Sequence, residues 1–198
     1  MFFIKFLFII FIGKCFENVI FAAVILYGCN HFQYNPLLTY TIRFHKVSFQ
    51  PNFTGNYTIE KYREKEFVNG FLSLDSPQVI DKIVVVFQRC NTEGVNCEYF
   101  QSWSMTDLCP KLRDKNQIWS SWYGSFDPQP PCPVQKVDSY IRNGTIDFAQ
   151  AVRWYPDCIN YQWKVIQKFY AGEHYIGTYS FEVSVFAYRK RNKKPSKQ

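Results

Sequence analysis

Long runs of alternating apolar and polar residues constrain the fold of this chain more than any other feature of its sequence. In 177–188, apolar residues such as Tyr179 and Phe181 alternate with polar ones, and the same period of two recurs in 38–49 and 161–170. Successive side chains of a β-strand point to opposite faces, so this pattern is typical of antiparallel strands with one buried and one solvated face. The sequence therefore predicts an all-β domain.

Weaker strand signals lie between these runs. Residues 83–87 form a continuous apolar stretch that suits a strand buried on both faces, and further strands are expected over 55–64, 67–75 and 138–148. Glycine accepts positive φ without strain, and turns are predicted at Asn69-Gly70, Asn143-Gly144 and Ala171-Gly172. We expect about eight antiparallel strands.

The strand pattern stops in 98–127. Short helices are predicted there at 98–112 and 117–123, and the proline-rich stretch 127–133 is predicted as a loop. The domain should thus contain a small helical or irregular insert between its strands.

The first 28 residues have the features of a secretory signal peptide, with a basic residue before a short apolar run. Cleavage is expected after Cys15 or after Gly28, where a second apolar stretch ends. The competing interpretation is a transmembrane anchor. However, Lys14 and Glu17 interrupt the apolar stretch, and an ionised group at mid-bilayer costs about 2.5–3.5 kcal/mol. We predict a signal peptide over 1–28 and a secreted protein.

The net charge of +7 is confined to the ends of the chain. The segment 189–198 (RKRNKKPSKQ) contributes six positive charges, whereas 29–188 has 15 basic and 15 acidic residues. Nucleic-acid binding needs basic residues concentrated on a folded face, so no nucleic acid is expected as a partner. The sequence predicts a neutral domain over 29–188 and a disordered basic tail over 189–198, with contact to a membrane surface or receptor as the tail's alternative role.

Removing the leader leaves six cysteines, an even number that in an oxidising compartment forms up to three disulfides among fifteen connectivities. They are Cys29, Cys90, Cys97, Cys109, Cys132 and Cys158. Cys90 and Cys97 flank a short loop, and a bridge across such a hairpin neck is geometrically easy. There is no C-x-x-C spacing and the histidines are scattered, so neither a metal nor a cofactor is expected.

Three N-glycosylation sequons support secretion. They begin at Asn52, Asn56 and Asn143, each followed two residues later by threonine. Together with the leader and the even cysteine set, they indicate an extracellular glycoprotein.

Aromatic residues make up 20% of the chain. Many fit the core of a sandwich, but Trp119, Trp122, Trp154 and Tyr155 lie outside the strand pattern, where aromatic side chains often line a ligand pocket. These aromatic residues are compatible both with core packing and with the lining of a ligand cavity. Motifs for a nucleophile, a zinc peptidase or nucleotide binding are absent, so no catalytic residue is predicted, although dispersed carboxylates can meet in a fold.

Several short motifs resemble the C-terminal half of the ganglioside-activator family of lipid-recognition proteins. These are Cys132-Pro133-Val134, Tyr140-Ile141-x-Asn143, Pro156 and Tyr161-x-Trp163, preceded by Phe67-Val68-Asn69-Gly70 and by the order of the cysteines. The chain is most similar to the insect branch of that family, the chemosensory B-type secreted proteins. The resemblance covers roughly 38–188.

The resemblance implies an antiparallel β-cup that encloses a large apolar cavity for a lipid tail, without catalysis. It places disulfides at Cys90–Cys97 and Cys109–Cys132. It also places a lip loop at 152–158, where Trp154 and Tyr155 would contact the ligand or a membrane, beside Trp163 at the next strand. This chain has Asp157-Cys158-Ile159-Asn160 where relatives have a glycine. Cys158 is left to pair with Cys29 as the remaining cysteine.

The expected function is binding of a lipid or hydrophobic signal molecule by a secreted, non-enzymatic protein, with a role in chemosensory perception implied by the resemblance. The cavity is expected to be lined by Trp119, Trp122, Trp154, Tyr155 and Trp163. Two alternatives stand beside it. One is an extracellular protein-interaction module with a filled interior, and the other is a lipid-presenting activator of a hydrolase.

Overall fold

Two antiparallel sheets packed face to face make up most of residues 35–189, the part of the chain that the computed structural model describes. The predicted leader 1–28, Cys29 and the basic tail beyond Arg189 lie outside the described residues. The prediction of an all-β sandwich of antiparallel strands with a few short helices is confirmed.

One sheet has five strands in the order β1-β9-β8-β4-β5, and the other has four in the order β2-β3-β7-β6. The strands are β1 Thr39–Gln50, β2 Phe53–Tyr62, β3 Lys65–Ile80, β4 Lys82–Cys90, β5 Glu98–Thr106, β6 Phe126–Asp127, β7 Val134–Gly144, β8 Gln162–Ala171 and β9 His174–Tyr188. The helices are α1 Leu108–Arg113, α2 Ser120–Tyr123 and α3 Ala149–Trp154, and a 3-10 helix spans Pro156–Asn160.

The three alternating runs form the adjacent strands β1, β9 and β8 of the five-stranded sheet, with one face buried as the sequence predicts. Tyr179, Phe181 and Val183 of β9 are buried between the sheets, and the polar residues between them face outward. In β1 the alternation shifts by one residue at His45, where the pairing with β9 is interrupted by a β-bulge. The bulge returns Val47 to the buried face, in line with Phe44.

Two local predictions are wrong. The stretch 98–112 is not a helix, because its first nine residues form strand β5 and pair with β4, while α1 starts only at Leu108. Asn69-Gly70 is not a turn but lies inside β3, opposite Thr58 and Tyr57. A Cβ on Gly70 would lie 2.2 Å from the carbonyl oxygen of Asn56, so glycine is required there by the close approach of β2.

The core between the sheets is built largely from aromatic rings. Phe53 of β2 packs against Phe169 and Tyr179 of the opposite sheet, with ring centroids 5.0 and 5.8 Å apart. Trp122 of α2 is 2% exposed and packs against Phe181 at 5.7 Å. The two sheets and α2 thus share one hydrophobic core.

Candidate functional site

An apolar cavity of about 330 Å³ lies over the inner face of the five-stranded sheet, at its β4–β5 side. The sheet contributes Val85, Trp103, Met105, Val165 and Phe181 to its wall. The opposite wall is not the second sheet but the segment that carries α1 and α2, together with residues just before α3. These contribute Lys111, Ile118, Trp119, Trp122, Tyr123, Ile146 and Phe148.

The exposure of the lining residues shows where the cavity opens. Val85, Val165 and Phe181 are buried, whereas Ser104 on the edge strand β5 is exposed. Trp119, on the segment opposite, is only half-buried. The mouth therefore lies between β5 and the α1–α2 segment. Among the described residues that line the cavity, Lys111 is the one with a charged side chain.

A chain of polar side chains closes the inner end of the cavity. Trp122 Nε1–H donates to the Tyr179 hydroxyl at 2.7 Å, and the Tyr123 hydroxyl donates to Gln167 Oε1 at 2.7 Å. The two tyrosine hydroxyls also hydrogen-bond each other. All four side chains are more than nine-tenths buried. Satisfying these groups within one network removes the large cost of burying them singly.

Burial keeps both phenols of this network neutral. It raises the pKa of Tyr123 to about 12, and it raises the pKa of Tyr179 well above its ordinary value, with the Tyr123 hydroxyl adding to the second effect. The inner end of the cavity is thus polar but uncharged.

The structure separates the predicted ligand-binding residues into two groups. Trp119 and Trp122 line the cavity. Tyr155 and Trp163 are not among the described residues that line it. The predicted lip 152–158 is folded into α3 and the 3-10 helix, with Trp154 as the last residue of α3. The side chain of Trp154 lies outside what the structure describes, so its place in a ligand site stays a prediction. The opening expected at 152–158 stays a prediction, and the cavity described here has its mouth between β5 and the α1–α2 segment.

Tyr155 and Trp163 belong to a second aromatic cluster, around Arg89. Phe100 packs against Tyr155 and Trp163 with ring centroids 5.2 and 5.1 Å apart, and the Arg89 guanidinium lies 5.1 Å from the centre of the Tyr161 ring. Arg89 also pairs with Glu98, and this hydrogen bond raises the pKa of the guanidinium. The cluster packs the hairpin of β4 and β5 against the start of β8.

Both disulfides implied by the resemblance are confirmed. Cys90–Cys97 closes the β4–β5 hairpin with Cα atoms 4.0 Å apart, and Cys109–Cys132 ties α1 to the loop before β7 with Cα atoms 5.8 Å apart. Strand β5 therefore lies between two bridged cysteines.

Cys158 is a buried free thiol within the described residues, and its predicted pairing with Cys29 stays a prediction. Cys29 itself lies outside the described residues. Burial raises the pKa of Cys158 to about 12, and the neighbouring Asp157 carboxylate adds to the shift. Trp163 Nε1–H donates to the Cys158 carbonyl oxygen at 2.8 Å, which fixes the backbone at this point.

The three sequon asparagines are all exposed. Asn52 Nδ2 nevertheless donates to the Ile176 carbonyl oxygen at 2.6 Å, so its amide takes part in the fold. Asn56 lies on β2, and Asn143 has positive φ at the end of β7.

Gln167 is one of the site residues that the sequence analysis did not identify, although its signal was visible. In 161–170, Trp163, Val165 and Phe169 occupy the buried face of β8, and the alternation places Gln167 on that same face between Val165 and Phe169. A polar residue in a buried phase predicts a hydrogen-bonding partner in the core. Here that partner is Tyr123, on a segment that the pattern of β8 cannot identify.

In the described range 35–189, His, Cys, Asp and Glu side chains form no group of three that could hold a metal ion. The same residues contain no helix that is both long and apolar enough to cross a bilayer. No protein-family model matches the chain, and no curated protein sequence matches it.

Proposed function

We propose that this protein is a secreted, non-enzymatic carrier of lipid-like or other hydrophobic signal molecules, and that its ligand occupies the cavity beneath the α1–α2 segment. The observation that carries the proposal is the cavity itself. A volume of about 330 Å³ lined by apolar and aromatic side chains falls in the range of small-molecule pockets.

The walls of the cavity favour binding over catalysis. The groups that converge at its inner end are two neutral phenols, an indole N–H and an amide, which orient a ligand by hydrogen bonds. Affinity would come from transfer of apolar groups out of water, at about 0.8 kcal/mol per CH₂ group.

The resemblance to the ganglioside-activator family, and to its chemosensory B-type branch, supports the same function. In this proposal the Cys109–Cys132 bridge has the role that the resemblance implies, because it fastens the segment that covers the cavity. Two disulfides also fit an oxidising compartment, as the proposed secretion requires.

The test is binding of a fluorescent apolar probe, N-phenyl-1-naphthylamine, to the full chain, with a cavity-filling variant. Val165→Trp places a large ring in the cavity, and Ile166→Trp places the same ring on the opposite face of β8. Val165→Trp should weaken probe binding at least tenfold, whereas Ile166→Trp should leave it unchanged. Overpacking costs about 1–3 kcal/mol, so a thermal melt of each variant establishes that it is folded.

Saturable probe binding that both variants retain would place the binding site outside the cavity. Absence of binding by the folded wild-type protein would refute a carrier function. Secretion is tested separately, by the appearance of the cleaved, disulfide-bonded chain in the medium of expressing insect cells.

A further inference from the structure

We propose that the cavity selects neutral ligands of about ten carbon atoms that bear a hydrogen-bond acceptor such as a ketone, ester or ether oxygen, and that Gln167 recognises this oxygen. The inference rests on the proposed carrier function and deepens it, because it states which polar group the ligand carries and where that group lies.

The length of the ligand follows from the volume of the cavity. A CH₂ group takes about the same volume as a water molecule in the liquid, roughly 30 Å³. A cavity of about 330 Å³ therefore holds about ten such groups. A two-chain lipid does not fit within it.

The acceptor preference follows from the hydrogen bonds of Gln167. Its side chain lines the cavity and is 6% exposed. Its oxygen accepts from Tyr123, and its amide hydrogen-bonds the Tyr179 hydroxyl. A glutamine amide has two N–H donors, and the Tyr179 contact takes one. Across residues 35–189 the side chain makes no other hydrogen bond, so one N–H is left for a ligand.

The neutral charge of the ligand follows from the surroundings of that N–H. Tyr123, Tyr179 and Trp122 are neutral, and apolar residues such as Val165 and Phe181 complete the inner wall. A carboxylate placed there would lose its hydration without gaining a cation. Lys111 is charged but belongs to the half-buried mouth, so an anionic headgroup bound by Lys111 is the competing outcome of the test.

Three ligands of equal chain length separate these cases: decane, methyl octyl ketone and decanoate. Decane and the ketone are volatile, and headspace gas chromatography over the protein solution measures their free concentrations. The quantity of interest is the ratio of the Kd values of decane and ketone, compared between wild type and Gln167→Met. This comparison cancels the different hydration of the two ligands.

Gln167→Met should shift this ratio by about three- to tenfold against the ketone, the worth of one hydrogen bond, and leave decane affinity equal or higher. Gln167→Leu serves as a second variant if the first does not fold. Gln101→Met makes the same change at an exposed position of β5 that does not line the cavity, and it should not change the ratio.

An unchanged ratio in a folded Gln167 variant that still binds decane would overturn this inference and leave the carrier function standing. Decanoate binding that is tighter than ketone binding and is lost in Lys111→Met would overturn it in favour of an anionic ligand. Failure of wild type to bind any of the three would overturn the carrier function as well.

Discussion

Replacing Tyr179 with phenylalanine tests whether the buried polar chain stabilises the fold. The ring would remain in place, with its contacts to Phe169 and Trp122 at 5.6 and 6.3 Å, so no new cavity larger than a hydroxyl forms. What is lost is the acceptor of the Trp122 indole N–H, together with the hydrogen bonds of the same hydroxyl to Tyr123 and Gln167. Trp122 is 2% exposed, so bulk solvent does not supply a ready replacement for that acceptor.

The cost is estimated from the donor left without a partner. A buried polar group without its hydrogen bond destabilises a protein by about 1–3 kcal/mol, so about 2 kcal/mol is expected for Tyr179→Phe. For a domain of this size, each kcal/mol lowers Tm by about 2–4 °C. The variant should therefore melt about 4–8 °C below wild type.

The measurement is a thermal melt with near-UV circular dichroism, and the matched control is Tyr62→Phe. Tyr62 is 64% exposed, and losing its hydroxyl should change stability by less than about 0.5 kcal/mol. Trp122→Phe completes a double-mutant cycle. The double variant should be more stable than the sum of the single losses predicts, by about 1 kcal/mol, because both partners are then gone. A Tyr179→Phe variant as stable as the control, or strict additivity, would refute the reasoning.

The buried phenol, the buried thiol and the bridge at α1 each predict a measurable response. Because the pKa of Tyr123 is raised to about 12 in the fold and is near 10 in the unfolded chain, its contribution to the free energy of unfolding is complete below pH 10 and is lost as pH rises toward 12. The free energy of unfolding measured by denaturant melts should fall between pH 10 and pH 12, and it should fall less steeply in Tyr123→Phe. The buried Cys158 thiol should resist alkylation at pH 8 in the folded protein and should be alkylated after unfolding without reductant. Peptide mass spectrometry measures the alkylated fraction. If Cys158 is alkylated only after reduction, it forms a disulfide with a cysteine outside the described residues. Replacing Cys109 and Cys132 by alanine opens a loop with a sequence separation of 23 and should lower the free energy of unfolding by about 3 kcal/mol. It should also weaken probe binding more than replacing Cys90 and Cys97 by alanine does.

The strands could be predicted from the sequence wherever a local pattern determines them. The alternation in 177–188 defines both the extent of β9 and its buried face, since the strand is packed on one side. Strand β5 was missed because its main determinant is pairing with β4, although Trp103 and Met105 alternate with serines in the expected period. Asn69-Gly70 was misassigned for a similar reason, since only the approach of β2 explains its glycine.

The candidate site was harder to predict because it is assembled from distant segments. The resemblance implies the Cys109–Cys132 bridge that holds α1, and the break in the strand pattern makes Trp119 and Trp122 candidate ligand-binding residues. The position of the cavity depends on which element covers β4 and β5, and that is decided by tertiary packing. Gln167 joins the site through a hydrogen bond to a residue 44 positions away, which no local pattern contains.

The position of β5 between two disulfides has a consequence for how the proposed ligand would enter and leave. An edge strand is hydrogen-bonded on one side only and is often the first part of a sheet to detach. Here Cys97 precedes the strand and Cys109 follows it, and both are covalently held. We therefore expect β5, the outer wall of the cavity, to separate from β4 over its middle residues while both ends stay fixed. Ligand exchange would then need only a local opening of low free energy, and the same covalent constraint would limit the ability of this edge to pair with a second molecule.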